Sequence, residues 1–142
     1  MSAPTSPPAS TSPEAGGRTW TVELPAGLTL LNANERLHWR RKAERTRAIR
    51  AASFACVKNA RVPKLKRAQI VVEFRPPDRR RRDVHNLYPS AKAAIDGLVD
   101  AGVLPDDSDR YLVGPDMRTG EVAPLARLVL HIAELEVPRG DR

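Results

Sequence analysis

The run Ala68 to Phe74, AQIVVEF, is the strongest strand signal in the chain, and prolines bound it on both sides. Pro63 interrupts the segment before it, and Pro76 and Pro77 end it. Proline has no N–H to give to a ladder, so it stops a strand as firmly as it stops a helix. Three other segments read as strands. Arg18 to Leu24 alternates polar and apolar residues, with Trp20, Val22 and Leu24 on one face and Pro25 following. Tyr111 to Val113 is a short strand, and Leu125 to Leu135 a longer one in which Leu128, Leu130 and Ile132 alternate.

Between these strands lie two helical patterns. Glu35 to about Asn59 reads as a long helix, with Asn32 or Asn34 available as its N-cap. Ala48, Ala52 and Ala55 recur at helical spacing beside Ile49 and Cys56, while Arg40, Arg41, Arg47 and Arg50 crowd the rest of the surface. Pro89 suits the first turn of a second helix running to about Ala101, with Gly102 as its cap. Its apolar stripe is Ala91, Ala94, Ile95, Leu98 and Val99, and Lys92 and Asp96, four apart, share a neighbouring face. The order β-α-β-α-β-β predicts an α+β domain of two layers, with helices packed on one face of a mixed sheet.

At 142 residues the chain accommodates one domain of this kind. Residues 1–17, rich in Pro, Ser, Thr, Ala and Gly, lack the apolar side chains to offset ordering entropy and read as a disordered tail. The domain is expected over 18–137, with a short C-terminal tail at 138–142. The leading segment lacks the apolar centre of a secretory signal, and no later run approaches membrane-spanning length. A cytoplasmic protein with no membrane partner is the expectation. Cys56 is the single cysteine, which excludes an internal disulfide and a cysteine-based zinc cluster.

The net charge of +7 is unevenly spread. Twelve Lys or Arg residues and one acid, Glu44, lie between Arg36 and Arg67, whereas Asp83 to Met117 holds seven aspartates against Lys92 and Arg110. A basic half beside an acidic patch fits a nucleic-acid surface next to a metal site. The alternative is a solvated surface without such a role. Arg79, Arg80, Arg81 and Arg82 run directly into Asp83, and Asp106 and Asp107 follow the second helix. Guanidinium groups take phosphate oxygens in bidentate fashion. Hard cations such as Mg2+ take carboxylate oxygens, often one or two, and leave the remaining positions to water and phosphate. Taken singly, an Asp-Asp pair is common in turns and an arginine run is common in solvated loops. Trp39, amid Arg36, Arg40 and Arg41, fits either base stacking or amphipathic core packing. His38 has no motif around it, and His131, in an apolar strand, reads as structural or surface.

In combination, PPDRRRRDVHNL followed by KAAIDGLVDAGVLPDD resembles the RusA family of Holliday-junction resolvases, small metal-dependent endodeoxyribonucleases often encoded by phages and prophages. The close match runs from Phe74 to Asp109, about a quarter of the chain, and the element order extends it loosely from Thr19 to Leu135. The resemblance implies that Asp83 and Asp107 are the principal metal-binding and catalytic aspartates, with Asp106 as a further ligand. It makes Lys92 the catalytic lysine and matches Asn86 to the asparagine of the family's Asp-x-Asp-Asn core. It further implies a homodimer that nicks the opposed strands of a four-way junction with Mg2+ or Mn2+, in a bacterial cell. The arginine run, Asn86, and Arg40 and Arg41 of the first helix would contact DNA.

Two departures stand out. His85 occupies the third core position, where imidazole suits Mn2+ or Zn2+ better than Mg2+ and makes His85 a candidate substituted ligand. Three extra residues, including Tyr88 and Pro89, lengthen the spacer to Lys92, a shift of most of a helical turn for which Asp96 can compensate. The rival readings are a non-catalytic nucleic-acid-binding protein and a nuclease acting on flaps or forks.

Overall fold

The structure, a computed structural model, describes residues 15–137. In chain order its elements are β1 (Ala15–Glu23), α1 (Trp39–Asn59), β2 (Ala68–Arg75), a 3-10 turn (Val84–Leu87), α2 (Tyr88–Asp100), β3 (Leu112–Thr119) and β4 (Arg127–Leu135). The fold is α+β, with a four-stranded mixed sheet in the order β1-β4-β2-β3. β2 pairs antiparallel with β4 and parallel with β3, and β4 pairs antiparallel with β1. A parallel pair needs a crossover, and α2 lies on the chain between β2 and β3. No helix among the described residues is long and apolar enough to cross a membrane.

AQIVVEF is an interior strand, and its alternation divides the sheet's two faces. Ala68, Ile70, Val72 and Phe74 join the core, with Val22 and Leu24 from β1 and its exit and Leu128, Leu130 and Ile132 from β4. α2 supplies Ala91, Ala94, Ile95 and Leu98 to the same core, as its apolar stripe predicted. It also buries Ser90, Ala93 and Gly97, so it is covered on more than one side. Gly102, at φ 85°, follows its last turn; Gly102 N–H donates to the Val99 carbonyl (2.9 Å) and Val103 N–H to that of Leu98 (3.3 Å). These two bonds form a Schellman closure at a glycine that tolerates the left-handed backbone.

α1 departs from its expected register. Its buried residues are Ile49, Ser53 and Val57, whereas Ala48 and Ala55 are exposed. Contact with α2 decides this, because Ser53 Oγ donates to the Ala94 carbonyl (2.6 Å) and lies against Gly97. A side chain at Gly97 would strike the Arg50 carbonyl and come within 2.8 Å of Ser53 Cβ. The helices cross closely because small residues face each other. Helix α1 also begins at Trp39 rather than Glu35. Asn32 Oδ1 accepts from Asn34 N–H (2.8 Å) in a local turn, and His38 Nδ1 accepts from Arg40 N–H (3.1 Å) as the N-cap.

β3 runs for 8 residues where a short strand over 111–113 was expected. It is an edge strand with only Leu112 buried, so it lacks the apolar alternation that marks a strand in sequence. At the N-terminal end, β1 starts at Ala15, within the segment expected as a tail; residues 1–14 and 138–142 lie outside the described residues.

Ser90 fastens the β1–α1 connection to α2. Fully buried, its hydroxyl accepts from Leu31 N–H (2.6 Å) and donates to the Leu31 carbonyl (2.8 Å). Ala33 N–H adds a bond to the Asn86 carbonyl (2.7 Å). Gly97→Ala is expected to cost about 1–3 kcal/mol, the range for overpacking, and Ser90→Ala about 1–3 kcal/mol, for stranding buried backbone groups. Urea unfolding of the two variants checks both values, and an unchanged midpoint for Gly97→Ala would refute the close crossing.

Candidate active site

The side chains α2 leaves uncovered include Lys92 and Asp96, one turn apart. The loop after α2 returns Asp107 to them. Lys92 Nζ lies 2.7 Å from Asp96 Oδ1 and 2.5 Å from Asp107 Oδ2, so one ammonium joins two carboxylates from different elements. All three side chains are part-exposed. The Asp107 and Asp96 carboxylates, in that order, raise the Lys92 pKa by hydrogen bonding. Lys92 in turn holds the Asp107 carboxyl below its usual range. Near neutral pH the lysine is therefore cationic and Asp107 anionic.

Asp83 sits elsewhere in the hydrogen-bond pattern. It caps the 3-10 turn that leads into α2, with Oδ1 accepting from His85 N–H at 3.0 Å. The His85 ring Nδ1 lies 3.2 Å from the same oxygen. These two contacts, the backbone one foremost, lower the Asp83 pKa. Both side chains are well exposed. Asp106 Oδ1 accepts from Ser108 N–H (2.7 Å) and shapes the turn. Asn86 is half-buried, and its backbone receives Ala33 as described.

Among the described residues, no three His, Cys, Asp or Glu side chains gather around one point. Two carboxylate oxygens nevertheless converge on a single positive charge, the Lys92 ammonium. Asp96 and Asp107 thus have the donor chemistry that a hard divalent ion takes when water and phosphate complete its shell. In sequence Asp96 was a compensating ligand or a helical partner for Lys92. The structure records the second, and the spacing of four was its signal.

The arginine run is not uniform. Arg82 Nη2 donates to Asp78 Oδ1 (2.7 Å) and Nη1 to the Asp78 carbonyl (3.1 Å), while its guanidinium stands over the Phe74 ring, 5.8 Å from its centre. Arg82 therefore organises the loop. Its hydrogen bond is also the leading cause of a lowered Asp78 pKa. Arg79, Arg80 and Arg81 are exposed, and Arg79, Arg80 and Arg82 line a groove with Thr119 and Val122. Asp78, four residues before Arg82, was missed in the sequence.

At the head of α1, Trp39 is 68% exposed. It stacks on His38 with centroids 5.7 Å apart, and Arg40 lies 5.2 Å from its ring. This exposure corrects the expectation of core packing. Arg40 and Arg41 are also exposed, on an outward helix surface with Arg47 and Lys58. His131 belongs to the sheet, where its Nε2 lies 2.7 Å from Glu73 Oε1, a cross-strand pair the sequence did not reveal. Cys56 is half-buried beside the core, and burial raises its thiol pKa.

No model of a known protein family matches the chain, and no curated protein matches it. Replacing Lys92 with Met removes the main cause of the low Asp107 pKa. Titration followed by carboxyl carbon NMR is expected to show Asp107 moving up toward the ordinary aspartate range. An unmoved Asp107 would disprove the coupling.

Proposed function

We propose that the chain is a metal-dependent, structure-specific endodeoxyribonuclease of the RusA type, acting as a homodimer to resolve four-way DNA junctions by paired nicks. The observation that carries this reading is the meeting of Lys92 and Asp107, two residues the family resemblance singled out, at one ion pair. Asp107 and Asp83, aided by Asp96 or Asp106, would hold Mg2+ or Mn2+, with His85 as a further donor. Such an ion, when bound, supplies charge neutralisation and Lewis-acid polarisation of the phosphate.

The protein's own groups then have separable tasks. Lys92 stays protonated beside its carboxylates, which suits it to stabilise negative charge developing on the cleaved phosphate. Arg79, Arg80 and Arg81 present exposed guanidinium groups to the backbone, while Arg82 keeps their loop in place. Asn86 lies between that loop and α2. The basic surface of α1, with Arg40 and Arg41, offers further phosphate contacts, and Trp39 an exposed ring for an unpaired base.

A second reading draws on the same ion pair. Because Lys92 already neutralises Asp96 and Asp107, a non-catalytic nucleic-acid-binding protein would need no metal there. The decisive variants are Asp83→Asn and Asp107→Asn, assayed on a synthetic four-way junction with nicking and gel shift scored separately. Nicking should fall by at least about 100-fold, as the loss of a principal electrostatic group does, with binding retained. Full nicking by either variant would exclude its residue from the site. Junction, flap and linear duplex run side by side distinguish a resolvase from a nuclease of flaps or forks.

A further inference from the structure

A second basic cleft lies at the opposite end of the strands from the arginine run. Lys64 and Lys66, just before β2, face Arg110 and Tyr111, just before β3, across a cleft walled by Leu65 and Val137. All three cations are exposed, and none forms an ion pair with another described residue. The adjoining groove shares Lys64 and Lys66 and contains Glu134 and Glu136. Arg18 neutralises Glu134 through two hydrogen bonds, at 2.7 and 3.0 Å. Positive charge against apolar walls focuses a field onto an approaching anion.

The topology fixes the relation of the two clefts. β2 and β3 are parallel, so the segments preceding them share one end of the pair and the segments following them share the other. Lys64, Lys66 and Arg110 belong to the first end, and Arg79, Arg80 and Thr119 to the second. Each strand has 8 residues. At about 3.3 Å per residue the clefts stand about 26 Å apart. That separation equals roughly eight base pairs of duplex at about 3.4 Å each.

We propose that Lys64, Lys66 and Arg110 form a second phosphate-binding site for double-stranded nucleic acid, gripping the backbone of an arm whose other contact is the arginine run. This rests on the nucleic-acid reading above. Tyr111 and the exposed Val137 would pack against the sugars between phosphates, and the site would add affinity without reading sequence.

The test uses the full chain, linear fluorescent duplexes of about 6 and about 12 base pairs, and a salt series. For the wild type, the dependence of binding on salt is expected to steepen with the longer duplex, by roughly 0.9 in log-log slope per added phosphate contact. In Lys64→Ala/Lys66→Ala/Arg110→Ala that step should vanish, a loss of roughly 2–3 in slope, with an unchanged melting temperature because the side chains are exposed. Arg79→Ala/Arg80→Ala serves as the control for the first contact. An unaltered step in the triple variant, with binding lost in the control, overturns the second site alone. A wild-type chain that binds neither duplex overturns both readings.

Discussion

The close crossing of α1 over α2 at Ser53 and Gly97 is the constraint on which the rest of the molecule depends. It brings the α1 backbone so near that no side chain fits at Gly97. α2 is thereby enclosed between α1 and the sheet by alanine, serine and glycine, with Ile95 and Leu98 as its large core residues. An enclosed helix leaves few positions for charge. Lys92, Asp96 and Asp100, spaced by four, all escape burial. Asp100 ties α2 to Arg50 of α1 at 2.5 and 2.8 Å, so the charged row also helps to hold the crossing. Packing therefore decides where charge can sit on α2.

Electrostatics completes what packing begins. The loop after α2 carries Asp107 to Lys92, and the two charges fix each other's ionisation. Asp107 lies below its usual pKa, so its contribution to stability is present above the unfolded value and is lost as pH falls through the folded one. The Lys92 pKa is raised, so its contribution is present below the unfolded value and is lost as pH rises through the folded one. The pair is sound between those limits, a window that includes neutrality. On the other side of the 3-10 turn, Asp78 braces its loop through Arg82 and also lies 3.6 Å from Arg80, whereas Arg79 and Arg81 form no ion pair with another described residue.

Much of this was legible in the sequence. AQIVVEF between prolines, the stripe of α2 and the Gly102 terminus all rest on local chemistry, and each is found where its residues placed it. The α1 register was not legible, because Ala48, Ala52 and Ala55 look like a core stripe while the true contact is a serine chosen by a glycine 44 positions away. The strand at Tyr111 to Val113 was legible but the length of β3 was not, because an edge strand needs only backbone pairing, and its Gly-Pro pair and Asp116 resemble a turn. The Lys92–Asp96 contact was readable from helical spacing, but the approach of Asp107 depends on a loop's return path, which no local rule encodes. The exposure of Trp39 was likewise a matter of where α1 starts.

The proposed nuclease reading hinges on these carboxylates working with a metal ion. The most direct measurement is cleavage of a four-way junction by the wild-type chain, with Mg2+ and Mn2+ compared side by side and a chelator control. The expected result is paired, symmetric nicks that require a divalent ion and cease when it is removed. Salt-sensitive binding without a nick under either metal, at any protein concentration, would contradict the nuclease reading and leave Lys92 with its two aspartates as a structural ion pair.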